Sequence, residues 1–153
     1  MDKRINYRSD RGFEITIERS EKIAVIKFAL QKQFEDDLTA IYLFGSWGTE
    51  FETKESDIDI AILLATKVSQ KEVWEFGQDL AVKMKQNVDL LELKNASTVM
   101  RMQIVSEGKR IYCGNRRASE QYEDYVFSSY VRLNEERKGI IEDIQKRGNV
   151  YGG

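Results

Sequence analysis

The 153-residue sequence predicts one domain of the α/β (α+β) class, closed by a long C-terminal helix. Three observations carry this. Two short apolar runs, 41–44 and 60–64, are rich in β-branched or aromatic residues and bounded by turn residues, as buried strands are. Between and after them, apolar residues recur at helical spacing in several stretches. The length suits a single domain, and a hydrophobic content of 41% suffices for one core.

In chain order, residues 1–16 are polar and charged and read as an N-terminal arm, in which Arg4, Arg8 and Arg11 are most simply solvated. A core follows over 17–114, and a terminal helix over 115–150. From Ile17 to Phe34, the residues Ile23, Ile26, Ala29, Leu30 and Phe34 repeat as on an amphipathic helix. The strand at 41–44 ends in Gly45-Ser46, and ten mostly polar residues lead to Asp57-Ile58-Asp59 and the second apolar run. Ser69 caps the next helix, with Glu72 completing a capping box. Its Val73, Trp74, Phe76, Leu80, Ala81 and Met84 are expected in the core, and Asn87 ends it. Residues 88–93 form a third strand. Asn95 or Ser97 opens a further helix, with Gly108 as its C-cap. Residues 110–112 make a short edge strand, and Cys113 is expected to pack in the core or at the strand end. The pattern from Arg116 to Arg147 predicts a long helix, on the order of 40 Å. Its Tyr and Ile positions either cross the sheet or face a partner.

Composition removes several functions. Twenty-four basic residues against 26 acidic ones give a net charge of −2, which is no footprint for general nucleic-acid binding, so no direct nucleic-acid partner is expected. The absence of histidine removes imidazole catalysis and His metal sites, and the single cysteine removes an internal disulfide and CxxC zinc sites. No apolar run reaches membrane-spanning length, and the opening MDKRINYRSDRG carries no apolar signal segment. A soluble, cytoplasmic protein is expected.

The stretch 40–64 carries the chemistry. Residues two apart in a strand share a face, so Asp57 and Asp59 are expected side by side, with Cα atoms about 6.5 Å apart, while Ile58, Ile60 and Ile62 face the core. Two carboxylates about 4 Å apart repel by roughly 4 kcal/mol at an effective dielectric of about 20. A cation relieves this, and Mg²⁺ suits best, since it takes one or two carboxylates and fills its shell with water and phosphate oxygens. Gly45 allows close backbone approach to a ligand, and Ser46 with the amides after it can donate to phosphates, more so if a helix starts there. Asp89 lies in the third strand on the face of Leu91 and Leu93, and Glu92 lies on the other. Either Asp89 is a turn residue at the strand start or its charge has a use.

Gly45-Ser46, ten residues, then Asp57-x-Asp59 between two strands resembles the signature of the DNA polymerase β-like nucleotidyltransferases, in particular their minimal members. The resemblance implies a small mixed β-sheet flanked by helices and a two-metal transfer of a nucleotide from its triphosphate. Asp57, Asp59 and Asp89 are then the catalytic and metal-holding carboxylates, Asp89 by its place on the later strand. Gly45, Ser46 and Ser56 are the nucleotide-binding residues. With GSWG, SDIDIAIL, VDLLEL, QIVSEGKRIY and the Tyr-rich final helix, the chain is similar to MntA-type antitoxins, minimal nucleotidyltransferases paired with HEPN ribonuclease toxins. That implies transfer of AMP from ATP, with Mg²⁺, to a tyrosine of a bound HEPN toxin. A nucleotidyltransferase for a small hydroxylated molecule, and a non-enzymatic toxin-binding module, are the alternatives. Where many relatives read GSxARG, this chain has Thr49 and Glu50. A phosphate donor is lost and an anion gained. Trp47 stacks on a ligand or packs in the core.

Overall fold

The computed structural model describes residues 7–8, 14–15, 17–53 and 55–151. From the N-terminus the elements are β1 (Tyr7–Arg8), β2 (Glu14–Ile15), α1 (Ile17–Phe34), β3 (Leu38–Phe44), β4 (Ile58–Leu64), α2 (Gln70–Met84), β5 (Val88–Glu92), α3 (Thr98–Glu107), β6 (Lys109–Cys113) and α4 (Arg116–Tyr151). Of the expected arm, only the two-residue ladder of β1 with β2 is described. Arg4 and Arg11 lie outside the described residues.

The two apolar runs flanking the Gly-Ser loop pair antiparallel, as β3 and β4. β5 joins β4 in parallel and β6 joins β3 antiparallel, giving a mixed sheet in the order β5-β4-β3-β6. β6 is thus an edge, as expected, and β5 is the other.

Alternation of side chains gives the sheet two buried faces. Ile41, Leu43, Ile58, Ile60, Ile62 and Leu64 pack with Ile26, Leu30 and Phe34 of α1 and Val73, Leu80 and Met84 of α2. Ala40, Tyr42, Ala61 and Leu63 point the other way, onto Leu93, Ile104 of α3 and Tyr122 of α4. The isoleucines of DIDIAILL therefore face the core as their alternation predicts, and the strand is covered on both sides.

Local signals set the helix ends. Ser69 Oγ accepts the Glu72 N–H at 3.1 Å, opening α2. Lys85, in the left-handed region at φ 55°, closes it by donating to the Ala81 and Val82 carbonyls, two residues before the Asn87 expected to do so. Ser97, not Asn95, caps α3, accepting the Met100 N–H at 3.1 Å. The Gly108 N–H returns to the Ile104 carbonyl at 2.8 Å.

Trp74, expected in the core, is 61% exposed. The buried stripe of α2 is Val73, Gly77, Leu80 and Met84, and Trp74 lies one residue, about 100°, round the helix from it. Gly77 lets the helix sit on β5, because a Cβ there would lie 2.9 Å from Leu90 Cβ. Trp47 goes the other way: at 3% exposure it packs in the core. Cys113 stands exposed at the end of β6, with Sγ 3.5 Å from Ser119 Oγ.

α4 does both things its pattern allows. Ser119 and Val126 are buried, and the Tyr42 hydroxyl donates to Glu123 Oε1 at 2.6 Å while Arg110 pairs with the same carboxylate at 3.1 Å. Beyond this anchor Val131, Ile140, Ile141 and Ile144 are all exposed. At 36 residues the helix is about 54 Å long, well beyond what the core can cover. No helix of the described residues is long and apolar enough to cross a membrane.

Candidate active site

The sheet register brings the acidic residues of two strands together. Asp59 stands opposite Phe44 on β3 and level with Asp89 on β5. Neighbouring strands lie about 4.8 Å apart, and level residues share a face. Asp59 and Asp89 are therefore adjacent on the face that carries Ala61 and Leu63. Asp57 is exposed and precedes β4, which begins at Ile58.

The electrostatics follow from that arrangement. Burial first, then the charges of Asp89 and Asp57, push the Asp59 carboxyl up from 3.8 to about 6. Among the described residues no three His, Cys, Asp or Glu side chains close on one point as a complete metal-binding group. Mg²⁺ does not need such a group, because one or two carboxylates suffice when water and phosphate supply the other oxygens. An oxygen-only donor set, in which two carboxylates raise the proton affinity of Asp59 between them, fits that ion.

Glu92, the other acidic residue of the third strand, has a structural use. It is buried on the opposite face from Asp89, where Oε1 accepts the Leu64 N–H at 3.1 Å and Oε2 accepts the Lys94 N–H. Burial raises its carboxyl, and those two backbone donors oppose the rise.

Gly45 is required by Asp59. Its φ of +75° lies in the region L-residues avoid, and a Cβ there would overlap the Asp59 carboxylate. No helix follows it: residues 45–51 are turns and bends. Ser46 Oγ lies 2.9 Å from Ser56 Oγ, which also accepts the Thr53 N–H at 2.8 Å. These hydroxyls tie the start of the loop to its end, directly ahead of Asp57. Thr49 closes the turn by donating N–H and Oγ1 to the Ser46 carbonyl at 3.0 and 2.6 Å. Outside the loop, Gln86 Nε2 donates to the Ser56 carbonyl at 3.3 Å and Lys22 donates to Gln86 Oε1 at 2.8 Å. Arg19 pairs with Glu52. None of these supports was read from the sequence, because each depends on α1 and α2 being folded back against the loop.

Beside Asp59 opens a cavity of about 510 Å³. Gly45, Ser46 and Phe51 line it from the loop, and Met100, Gln103 and Glu107 from α3. The α3 residues were missed as site residues. Their spacing of three and four marks a single helix face, but only the fold shows that this face looks onto Asp59. Small-molecule sites are commonly of this size, apolar with a few placed polar groups.

Comparison with known proteins agrees with this geometry. The family described as Polymerase beta, Nucleotidyltransferase matches residues 24–117. The Protein adenylyltransferase MntA of Shewanella oneidensis is 39% identical over 107 residues, 70% of this chain and 76% of that protein. A solved complex of tri-AMPylated Shewanella oneidensis HEPN toxin with MNT antitoxin holds a chain 35% identical to this one at a TM-score of 0.68, covering 82% of this chain and 98% of that one. A crystal structure of the toxin–antitoxin with AMP-PNP matches at 36% identity and a TM-score of 0.68, covering 81% and 98%. The carboxylates level on adjacent parallel strands, the glycine pressed against one of them and the match across the sheet have one explanation: this chain belongs to the polymerase β nucleotidyltransferase family and stands within it beside the MntA adenylyltransferases.

Proposed function

We propose that this protein is an antitoxin that transfers AMP from ATP to a tyrosine of a cognate HEPN ribonuclease and silences it. The observation that best supports the reading is the level pairing of Asp59 with Asp89, next to a glycine that leaves room only for the Asp59 carboxylate. The relatives add the substrate classes: one is named a protein adenylyltransferase, and another was solved with an AMPylated HEPN toxin.

Each residue has a task in this reading. Gly45 and Ser46 receive the triphosphate, and Ser56 holds Ser46 in place. Asp57, Asp59 and Asp89 would hold the metal, with water and phosphate oxygens completing its shell. When bound, Mg²⁺ neutralises charge on the triphosphate and on the attacking oxygen. Asp89, on the open edge of the sheet, orients the acceptor hydroxyl and takes its proton. That oxygen then attacks the α-phosphorus, and pyrophosphate leaves. The core over 17–114 performs the transfer. The helix over 115–150 holds the toxin, and its exposed Val131, Ile140, Ile141 and Ile144 supply the apolar contact. An ATP-consuming reaction of this kind belongs in the cytoplasm, where its nucleotide is.

The test is to mix the purified protein with the product of its neighbouring gene, ATP and Mg²⁺, and to weigh the partner intact. One or more added AMP units on tyrosine, absent with Asp59→Asn, are expected. A bound but unmodified partner would overturn the transferase reading in favour of neutralisation by contact. Neither binding nor modification would leave a small hydroxylated acceptor as the substrate to seek.

A further inference from the structure

Resting on the nucleotidyltransferase reading above, we infer that Gln103 of α3 reads the nucleotide base and makes the site select adenine. The cavity beside Asp59 has two chemically different walls. Gly45, Ser46 and Asp59 make up the wall to which the triphosphate and its metal belong. The α3 wall offers Met100, Gln103 and Glu107 at positions i, i+3 and i+7, and Phe51 reaches in from the loop. On the α3 wall the Glu107 carboxylate repels phosphate, so the uncharged end of a nucleotide is the end that α3 can accept; Glu50 on the loop and Lys109 on β6, opposite in charge, also line the cavity.

A base needs apolar faces and a matching edge. Phe51 is 74% exposed and Met100 38% exposed, and rings and thioethers of this kind stack on bases irrespective of sequence. The edge is read by Gln103. Its side chain is exposed and makes no hydrogen bond to any described residue. A carboxamide has a donor and an acceptor side by side. Adenine presents the complement, an N6–H donor beside the N7 acceptor, whereas guanine presents two acceptors there, O6 and N7. Glu107, four residues on along the same face, sharpens the choice. A carboxylate accepts the second adenine N6–H but opposes the lone pairs of guanine O6. The cavity thus sorts a nucleotide by charge at one wall and by base at the other.

The test measures binding without turnover. AMP-PNP, GMP-PNP and inorganic tripolyphosphate are titrated calorimetrically into the full chain with Mg²⁺. The wild type is expected to prefer AMP-PNP by about 5- to 150-fold, the range of one bidentate base contact. Gln103→Ala should bring the two analogues within about threefold and leave tripolyphosphate affinity unchanged. Gln103→Arg, whose guanidinium suits paired acceptors, should move the preference toward GMP-PNP. An adenine preference that survives Gln103→Ala overturns the assignment. So does a wild type that binds both analogues equally, or a Gln103→Ala variant that loses tripolyphosphate binding in parallel. A wild type that binds no nucleotide and no tripolyphosphate overturns the nucleotidyltransferase reading itself, and this inference with it.

Discussion

Replacing Asp59 by asparagine should stabilise the metal-free fold while ending transfer. Asp59 is a part-buried carboxylate facing two others, and its proton affinity is raised from 3.8 to about 6. A group with a raised folded-state value binds its proton more tightly in the folded than in the unfolded chain. Its stabilising contribution is therefore present below pH about 3.8 and is lost as pH rises through about 6. At pH 8 the full shift corresponds to about 3 kcal/mol. Asp59 is only half-buried, and solvent screening reduces this to about 1–2 kcal/mol. Asparagine keeps the shape and removes the charge. In a domain of this length each kcal/mol moves Tm by about 2–4 °C. Thermal melts in EDTA at low salt should place Asp59→Asn about 3–6 °C above the wild type at pH 8, with the gap shrinking by half or more at pH 4. Added Mg²⁺ and AMP-PNP should raise the wild-type Tm and leave the variant nearly unmoved. A variant that melts no higher than the wild type at pH 8, or a gap that does not shrink on acidification, would refute the electrostatic account of the site.

Three further outcomes are expected. Gly45→Ala should abolish AMP-PNP binding in calorimetry, because its Cβ would overlap the Asp59 carboxylate and its φ of +75° is strained for alanine; the fold should lose about 1–3 kcal/mol in urea titrations. Asp89→Asn should end AMP transfer and, by removing the charge set against Asp59, leave melting unchanged or slightly raised, while Glu92→Ala should cost about 2–4 kcal/mol by orphaning the Leu64 and Lys94 N–H groups, with per-molecule transfer retained. The opposite pattern in mass spectrometry and melting curves would exchange the roles of the two carboxylates. Tyr42→Phe should cost about 1–3 kcal/mol in urea titrations, because Glu123 loses a part-buried charge-assisted bond that holds α4 to the sheet.

What could be read from the chain was what local chemistry decides. The alternation in DIDIAILL set which isoleucines face α1 and α2, and Ser69 and Ser97 were legible as caps because a hydroxyl ahead of a helix has few other uses. Trp74 failed for a reason of the same scale: an apolar stripe is read to within one residue, and on a helix one residue is about 100°. Lys85 was passed over because a left-handed helix end favours Gly or Asn, and Asn87 stood nearby. The reach of α4 beyond the core was undecidable because its apolar positions run on past the last residue the sheet can cover, at Val126.

The site divides along the same line. Gly45-Ser46 and the aspartate pair were legible as a motif, yet the reason for the glycine was not. Its backbone was expected to approach a ligand, and the nearer demand is that it makes room for Asp59, which only the pairing of Phe44 with Asp59 reveals. Likewise Asp89 and Glu92 were told apart by alternation, but what separates them physically is the company on each face. One faces an acidic neighbour level with it on β4, and the other two backbone N–H donors. A buried carboxylate satisfied by backbone donors is committed to the fold, whereas one set beside a like charge has its energy lowered only when a cation arrives. That difference, set by one residue of strand register, is why Asp89 can serve the chemistry and Glu92 cannot.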